Sequence, residues 1–378
     1  MLERFDEIRH YNKEESIEAI QKIFKDTVFV QSLSKFAPQI EVDKVLQEYP
    51  SYKTSYDFQL SVAKGFVQSI IDNSTAGVEL KGFENLDIKE PHLFLANHRD
   101  IVLDTAFLQY YFFINLYPSS KIAIGDNLLS TELLVELGKI NKMITVKRSL
   151  SIREKLTQYR LFADYLHHCI SVEKESIWIA NRNGRTKNGL DATQPGLIKM
   201  LTMSDPKHPF ETLKSFNIVP VTVSYEYEPC DNLKARELAI FEHQIYEKKP
   251  NEDFDSIVQG LFGYKGKVNL VIGNSINDEL EMIQERKDSK VFIDKICKIV
   301  DSRLHANYKM HHTNYIAYDL LEKCDKYAGF YNEKEKEDFI QYLNKQSIIK
   351  DVSPKKMIHY LLQIYANPLR VDDKKKIL

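Results

Sequence analysis

The pattern of apolar and polar positions changes period twice along the chain. From Leu2 to Asn73 the apolar residues recur at helical spacing: Ile17, Ile20 and Phe24 follow a capping-box pair, Asn12 and Glu15. Phe58, Val62, Phe66 and Ile70 stand at four-residue steps, which places them on one face of a helix. After Asn73, short apolar runs appear at Val78–Lys81, His92–Ala96, Lys121–Ile124, Met143–Val146, Ser176–Asn181, Ile218–Tyr225 and Val268–Ile272, with helical patterns between them. Runs of that length, separated by crossover helices, predict an α/β fold with a mixed, mostly parallel sheet flanked by helices. Beyond His311 the period is helical again, with Ile316, Leu320 and Leu321 on one face and Met357, Tyr360, Leu361 and Ile364 on another. The expected organisation is an N-terminal helical domain (1–76), an α/β domain (77–305) and a C-terminal helical extension (306–378).

Composition narrows the functional classes. A chain of 378 residues that is 43% hydrophobic can bury a large core. Lys and Arg total 52 against 54 for Asp and Glu, so no global field favours nucleic acid or an anionic membrane, and any basic site must be local. Cys169, Cys230, Cys297 and Cys324 lack a CxxC pair or paired histidine spacing. Neither a zinc site nor a disulfide framework is expected, and reduced thiols fit a cytoplasmic protein. The start, MLERFDEIRHYNKEE, is charged where a signal peptide needs an apolar stretch, and no run approaches the roughly 18 to 20 apolar residues of a membrane span. The most apolar helical stretch, Thr105 to Tyr117, has two readings: a buried core helix, or an apolar face with its tyrosines at the inner membrane surface.

The candidate chemistry begins at His92–Asp104, an apolar strand that runs into a polar turn and then a helix, with Asn97, His98, Arg99 and Asp100 at the turn. Carboxyl ends of parallel strands face the ligand crevice, so His98 is placed for chemistry. A neutral imidazole takes a proton from an alcohol when a carboxylate holds its other nitrogen. Asp104, one turn inside the helix, can point back to His98; Asp100 can supply the carboxylate instead, or cap the helix. Three further blocks follow in order: Ile144–Arg148, Ile177–Lys187 and Phe216–Tyr225. No G-x-S-x-G elbow appears, so no serine nucleophile is indicated, and direct attack by a bound hydroxyl is favoured over a covalent intermediate.

Together these blocks, from His92 to Tyr225, resemble the glycerolipid acyltransferases, the family of glycerol-3-phosphate and 1-acyl-sn-glycerol-3-phosphate acyltransferases. The resemblance implies an O-acyltransferase of phospholipid biosynthesis that moves a fatty acyl group from acyl-CoA or acyl carrier protein to a hydroxyl of glycerol 3-phosphate or its 1-acyl derivative. No cofactor or metal is implied. It makes His98 the base within the Asn97-His98 block, Arg148 a phosphate contact with Lys147 as second candidate, Gly184 and Arg185 the third-block residues, and Pro220 the fourth-block proline. Five residues separate His98 from Asp104 where the family usually has four, and Asn183 stands where it usually carries glutamate. These departures open two alternatives: an acyl-amino-acid lipid precursor as acceptor, or a lipid-binding relative without catalysis. On physical grounds a phosphate-bearing acceptor needs fixed cations, for which Arg148, Arg182, Arg185 and Lys187 are available. Gly184 and Gly189 permit a tight anion-facing turn.

Overall fold

A computed structural model describes residues 3–148, 150–242, 246–249, 251–284, 287 and 289–375. Seven strands, β1 (Val78–Lys81), β2 (Leu93–Ala96), β3 (Lys121–Gly125), β4 (Met143–Val146), β5 (Ile177–Ala180), β6 (Ile218–Tyr225) and β7 (Val268–Ile272), form one sheet in the order β1-β7-β6-β2-β5-β3-β4. All neighbours are parallel except β6 and β7. Each apolar run read from the sequence is a strand, displaced by at most a residue at an end. β2 and β6 are buried at every position, which is why they read as continuous apolar runs. The register sets Ala96 beside Ala180 and Val221, and Gly125 beside Val146, so the loops after β2, β5, β3 and β4 leave from one edge.

Each face of the sheet carries its own core. On one, Leu93, Leu95, Ile179 and Ile218 meet Phe162, Ile296 and Val300; on the other, Phe94, Trp178 and Val219 meet Phe107, Leu108 and Phe112. The latter three belong to the helix Leu103–Ile114 and are therefore spent on the sheet, while Ile114 at its end is exposed. The flanking helices join the same body. Asn12 and Glu15 do form a capping box on Lys13–Lys25, whose Ile20, Ile23 and Phe24 pack with Ile140. Phe5 and Ile8 enter the core beside Ile144, and the Thr145 N–H donates to the Ile8 carbonyl at 2.8 Å. At the other end, helices His312–Glu322, Glu333–Gln346 and Pro354–Lys375 share Ile316, Phe339 and Leu361 with Ala235 of the helix Asp231–Phe241. Among the described residues no helix is long and apolar enough to cross a membrane.

Candidate active site

Where β2 ends, its turn is sewn to β6: Asn97 Nδ2 donates to the Val223 carbonyl at 2.9 Å, and the Val223 N–H returns a bond to Asn97 Oδ1 at 2.7 Å. His98 follows, its side chain 13% exposed. Asp104 sits in the first turn of the helix Leu103–Ile114 and is buried. Its Oδ2 faces His98 Nδ1 at 2.9 Å and accepts the backbone N–H groups of Arg99 at 2.7 Å and Asp100 at 2.9 Å, while Oδ1 accepts the Tyr225 hydroxyl at 2.7 Å. Burial, reinforced by the Asp104 charge, holds the Tyr225 hydroxyl well above its usual titration range, so it stays a donor. A carboxylate that accepts from every other neighbour leaves Nδ1 as the proton-bearing nitrogen and Nε2 with the lone pair. The His98 and Trp178 rings meet edge to face, with centroids 5.7 Å apart.

Asp100, the other candidate carboxylate, faces away from this pair. Its Oδ1 accepts the N–H groups of Val102 and Leu103, both at 2.9 Å, just ahead of the helix, whose cap position is held by Val102 and not by Asp100. Its Oδ2 is buried without a hydrogen-bond partner, and burial, with the nearby Asp104 charge, raises its pKa. The offset of one helical turn decides between the two: Asp104 points back over the turn, whereas Asp100 points along it.

The loop after β5 lies directly against His98. The Asn181 N–H donates to the Ala96 carbonyl at 2.7 Å, and the Thr186 N–H to the His98 carbonyl at 2.8 Å. Gly184 and Gly189 have φ of 75° and 79°, and a Cβ on Gly189 would stand 2.1 Å from the Ile364 carbonyl oxygen. Arg185 is buried with Nη1 unbonded, and its charge acts on both the Asp100 carboxyl and the Cys230 thiol. Arg182 reaches Thr186 Oγ1 at 3.5 Å, and its Nε is buried without a partner. Such unsatisfied guanidinium nitrogens are costly unless a ligand oxygen completes them.

The remaining candidates divide. A Cβ on Gly125 would stand 2.4 Å from Arg148 Nε, so this guanidinium lies across the end of β3; burial lowers its pKa, opposed by Asp126 and Asp253. Lys147 pairs with Glu7 of the N-terminal segment. Lys187 pairs with Glu237, and burial, then the Arg185 charge, pushes it down to about 8. Asn183 is exposed, with its N–H on Gln194 Oε1 at 2.8 Å. Pro220 lies inside β6, opposite Leu95, and its carbonyl accepts the Gly273 N–H at 2.9 Å just past the end of β7. The missing proline N–H therefore faces a place where the ladder has ended.

Sequence reasoning missed the groups that brace this turn. Arg99 Nη2 meets Asp191 Oδ2 at 2.7 Å and Nη1 meets Glu228 Oε2 at 3.3 Å, while Lys234 Nζ bonds Glu228 Oε1 and the Arg99 carbonyl, both at 2.6 Å. Asn97 Nδ2 adds a bond to Asp191 Oδ2 at 3.0 Å. All four ionic side chains are buried, and burial of that kind is tolerated because each charge is paired, although Asp191 Oδ1 has no hydrogen-bond partner. The sole sequence signal was Arg99 itself, next to His98. A second omission is the helix Glu252–Phe262, which lies over Asp100: a Cβ on its Gly260 would stand 2.2 Å from Asp100 Oδ2.

Fold and site define an α/β protein with a histidine–carboxylate pair and an arginine-bearing loop at the carboxyl edge of its sheet. No protein-family model and no curated protein matches the sequence. Among solved structures the chain is similar to the 1-acyl-sn-glycerophosphate acyltransferase of Thermotoga maritima, at 10% identity and a TM-score of 0.36, over 79% of this chain and 98% of that one.

Proposed function

We propose that the protein is an O-acyltransferase that moves a fatty acyl group from a thioester, on coenzyme A or acyl carrier protein, to a hydroxyl of glycerol 3-phosphate or its 1-acyl derivative. The observation that carries this reading is an imidazole held at Nδ1 by Asp104, beside a loop whose Arg185 presents a buried, unbonded Nη1. His98 Nε2 takes the proton of the acceptor hydroxyl as its oxygen attacks the thioester carbonyl. The C–S bond then breaks, and the departing thiolate takes that proton from the imidazolium. Asp104 orients the ring and stabilises its charged form. Arg185 and Arg182, with Arg148 at the end of β3, hold the acceptor phosphate, for which forked guanidinium donors are suited. Because the thioester is already activated, positioning supplies much of the rate.

The direct test is thioester consumption with glycerol 3-phosphate and with its monoacyl derivative as acceptors. His98→Ala should lower turnover by roughly 10² to 10⁴ with the fold intact by circular dichroism. Near-normal acyl transfer by that variant removes His98 as base, and no transfer to either acceptor by the unaltered protein removes the acceptor class.

A further inference from the structure

The last helix, Pro354–Lys375, carries side by side two residues that a helix interior disfavours, Asn367 and Pro368. Both are buried, and both meet the loop that bears Arg182 and Arg185. Proline has no N–H, so the Ile364 carbonyl, four residues earlier, is denied its bond within the helix. That oxygen lies instead against Gly189, where a Cβ would stand 2.1 Å from it. Gly189 also has a φ of 79°, so the contact and the backbone both call for glycine. Asn367 makes the second contact: its Nδ2 donates to the Asn188 carbonyl at 2.7 Å, while Arg370 Nη1 donates to its Oδ1 at 3.4 Å.

From Asn188 the loop is tied inward to the site. The Leu190 N–H donates to Asn188 Oδ1 at 3.1 Å, Thr186 Oγ1 donates to the Leu190 carbonyl at 2.9 Å, and the Thr186 N–H donates to the His98 carbonyl at 2.8 Å. Arg185, with its unbonded Nη1, directly precedes Thr186. A helix whose task is stability alone is better served by strong helix formers at 367 and 368. Two locally unfavourable residues that both meet one functional loop show that the position of this loop is what they secure.

We propose that Asn367 and Pro368 are positioning residues for acceptor binding: through Asn188 and Gly189 the last helix sets where Arg185 stands, and with it the affinity for the acceptor phosphate. This rests on the reading of that loop as the acceptor site.

Steady-state kinetics with the acceptor varied, together with urea unfolding of each variant of the full chain, tests it. Asn367→Asp keeps an acceptor for Arg370 and loses the donor to Asn188. KM for the acceptor should rise about tenfold, the scale of one lost hydrogen bond, with kcat within about twofold. The kcat is spared because His98 and Asp104 are held by their own turn and by β6. Pro368→Ala returns an N–H to the Ile364 carbonyl and draws it off Gly189; acceptor KM should rise by a similar factor, with a urea midpoint no lower than that of the unaltered protein. Loss of folded protein alone lowers apparent kcat and leaves KM unmoved, so a merely structural role gives the reverse split. Unchanged acceptor KM in either variant, or a KM rise only where the urea midpoint falls, overturns the proposal while acyl transfer by the unaltered protein keeps the acceptor reading. Absence of transfer to either acceptor by the unaltered protein removes that reading and this proposal with it.

Discussion

Asp104 takes bonds from a ring nitrogen, two backbone N–H groups and a phenol, and only a carboxylate accepts from all of them. In Asp104→Asn, an amide NH2 must face either those N–H donors or the Tyr225 hydroxyl, and the imidazole loses the group that sets its tautomer. The expected outcome is a fall in turnover of about 10² to 10⁴, with about 1–3 kcal/mol of stability lost to unsatisfied donors. Single-turnover acyl transfer and urea unfolding measure the two effects; turnover close to that of the unaltered protein would remove Asp104 from the mechanism. Asp100 stands four residues closer in sequence yet has a different task, since its Oδ1 is consumed by the helix start. That distinction depends on the path of the backbone through the turn. Two carboxylates at either end of a polar loop read alike until the helix start is located.

At the scale of an element, the helix Glu252–Phe262 over Asp100 depends on one missing methyl group. An exposed helical glycine replaced by alanine gains roughly 1 kcal/mol, but at Gly260 the new Cβ would stand 2.2 Å from Asp100 Oδ2. The sign should therefore reverse: Gly260→Ala is expected to lower stability by about 1–3 kcal/mol, as overpacking does. It should also displace the helix from the site. Denaturant titration gives the first quantity, and an increased stability would show that the helix yields without strain. The same helix shows the limit of periodicity. Phe254, Val258 and Phe262 have the spacing of a core stripe, and spacing alone cannot say on which side the core lies. The stretch Thr105–Tyr117 presents the opposite case: its Phe107, Leu108 and Phe112 are packed against the sheet, leaving Ile114 and Leu116 as its exposed apolar residues.

For the molecule as a whole, the C-terminal helices act as a brace. Asp231 Oδ2 accepts the hydroxyls of Tyr342 at 2.8 Å and Tyr365 at 2.7 Å, and the Tyr365 hydroxyl in turn accepts the Glu228 N–H at 2.9 Å. A chain of bonds thus runs from the last helix to the ion network beneath His98. Burial pushes the Asp231 carboxyl up to about 6 from an ordinary value of 3.8. The folded protein therefore binds this proton more tightly than the unfolded chain. Its contribution is favourable at low pH and is lost as pH rises from about 4 to about 6, a change of about 3 kcal/mol. Asp231→Asn keeps an acceptor for the tyrosines and removes the titration. Its urea midpoint should fall less steeply over that window than that of the unaltered protein, and identical slopes would show that Asp231 ionises in the fold without penalty.

Local pattern alone determined the seven strands, the helical segments before and after them, and the place of His98 at the end of an apolar strand. Periodicity and turn composition are set by residues within a few positions of one another. Tertiary structure decided which carboxylate meets the imidazole, that Arg182 and Arg185 lie on the loop beside it while Lys147 and Lys187 are engaged by Glu7 and Glu237, and that Phe254, Val258 and Phe262 face outward. It also paired Arg99 with Asp191 and Glu228, 92 and 129 residues away. Ion pairs over such distances leave no periodic trace, because they are selected by where the sheet brings its loops together.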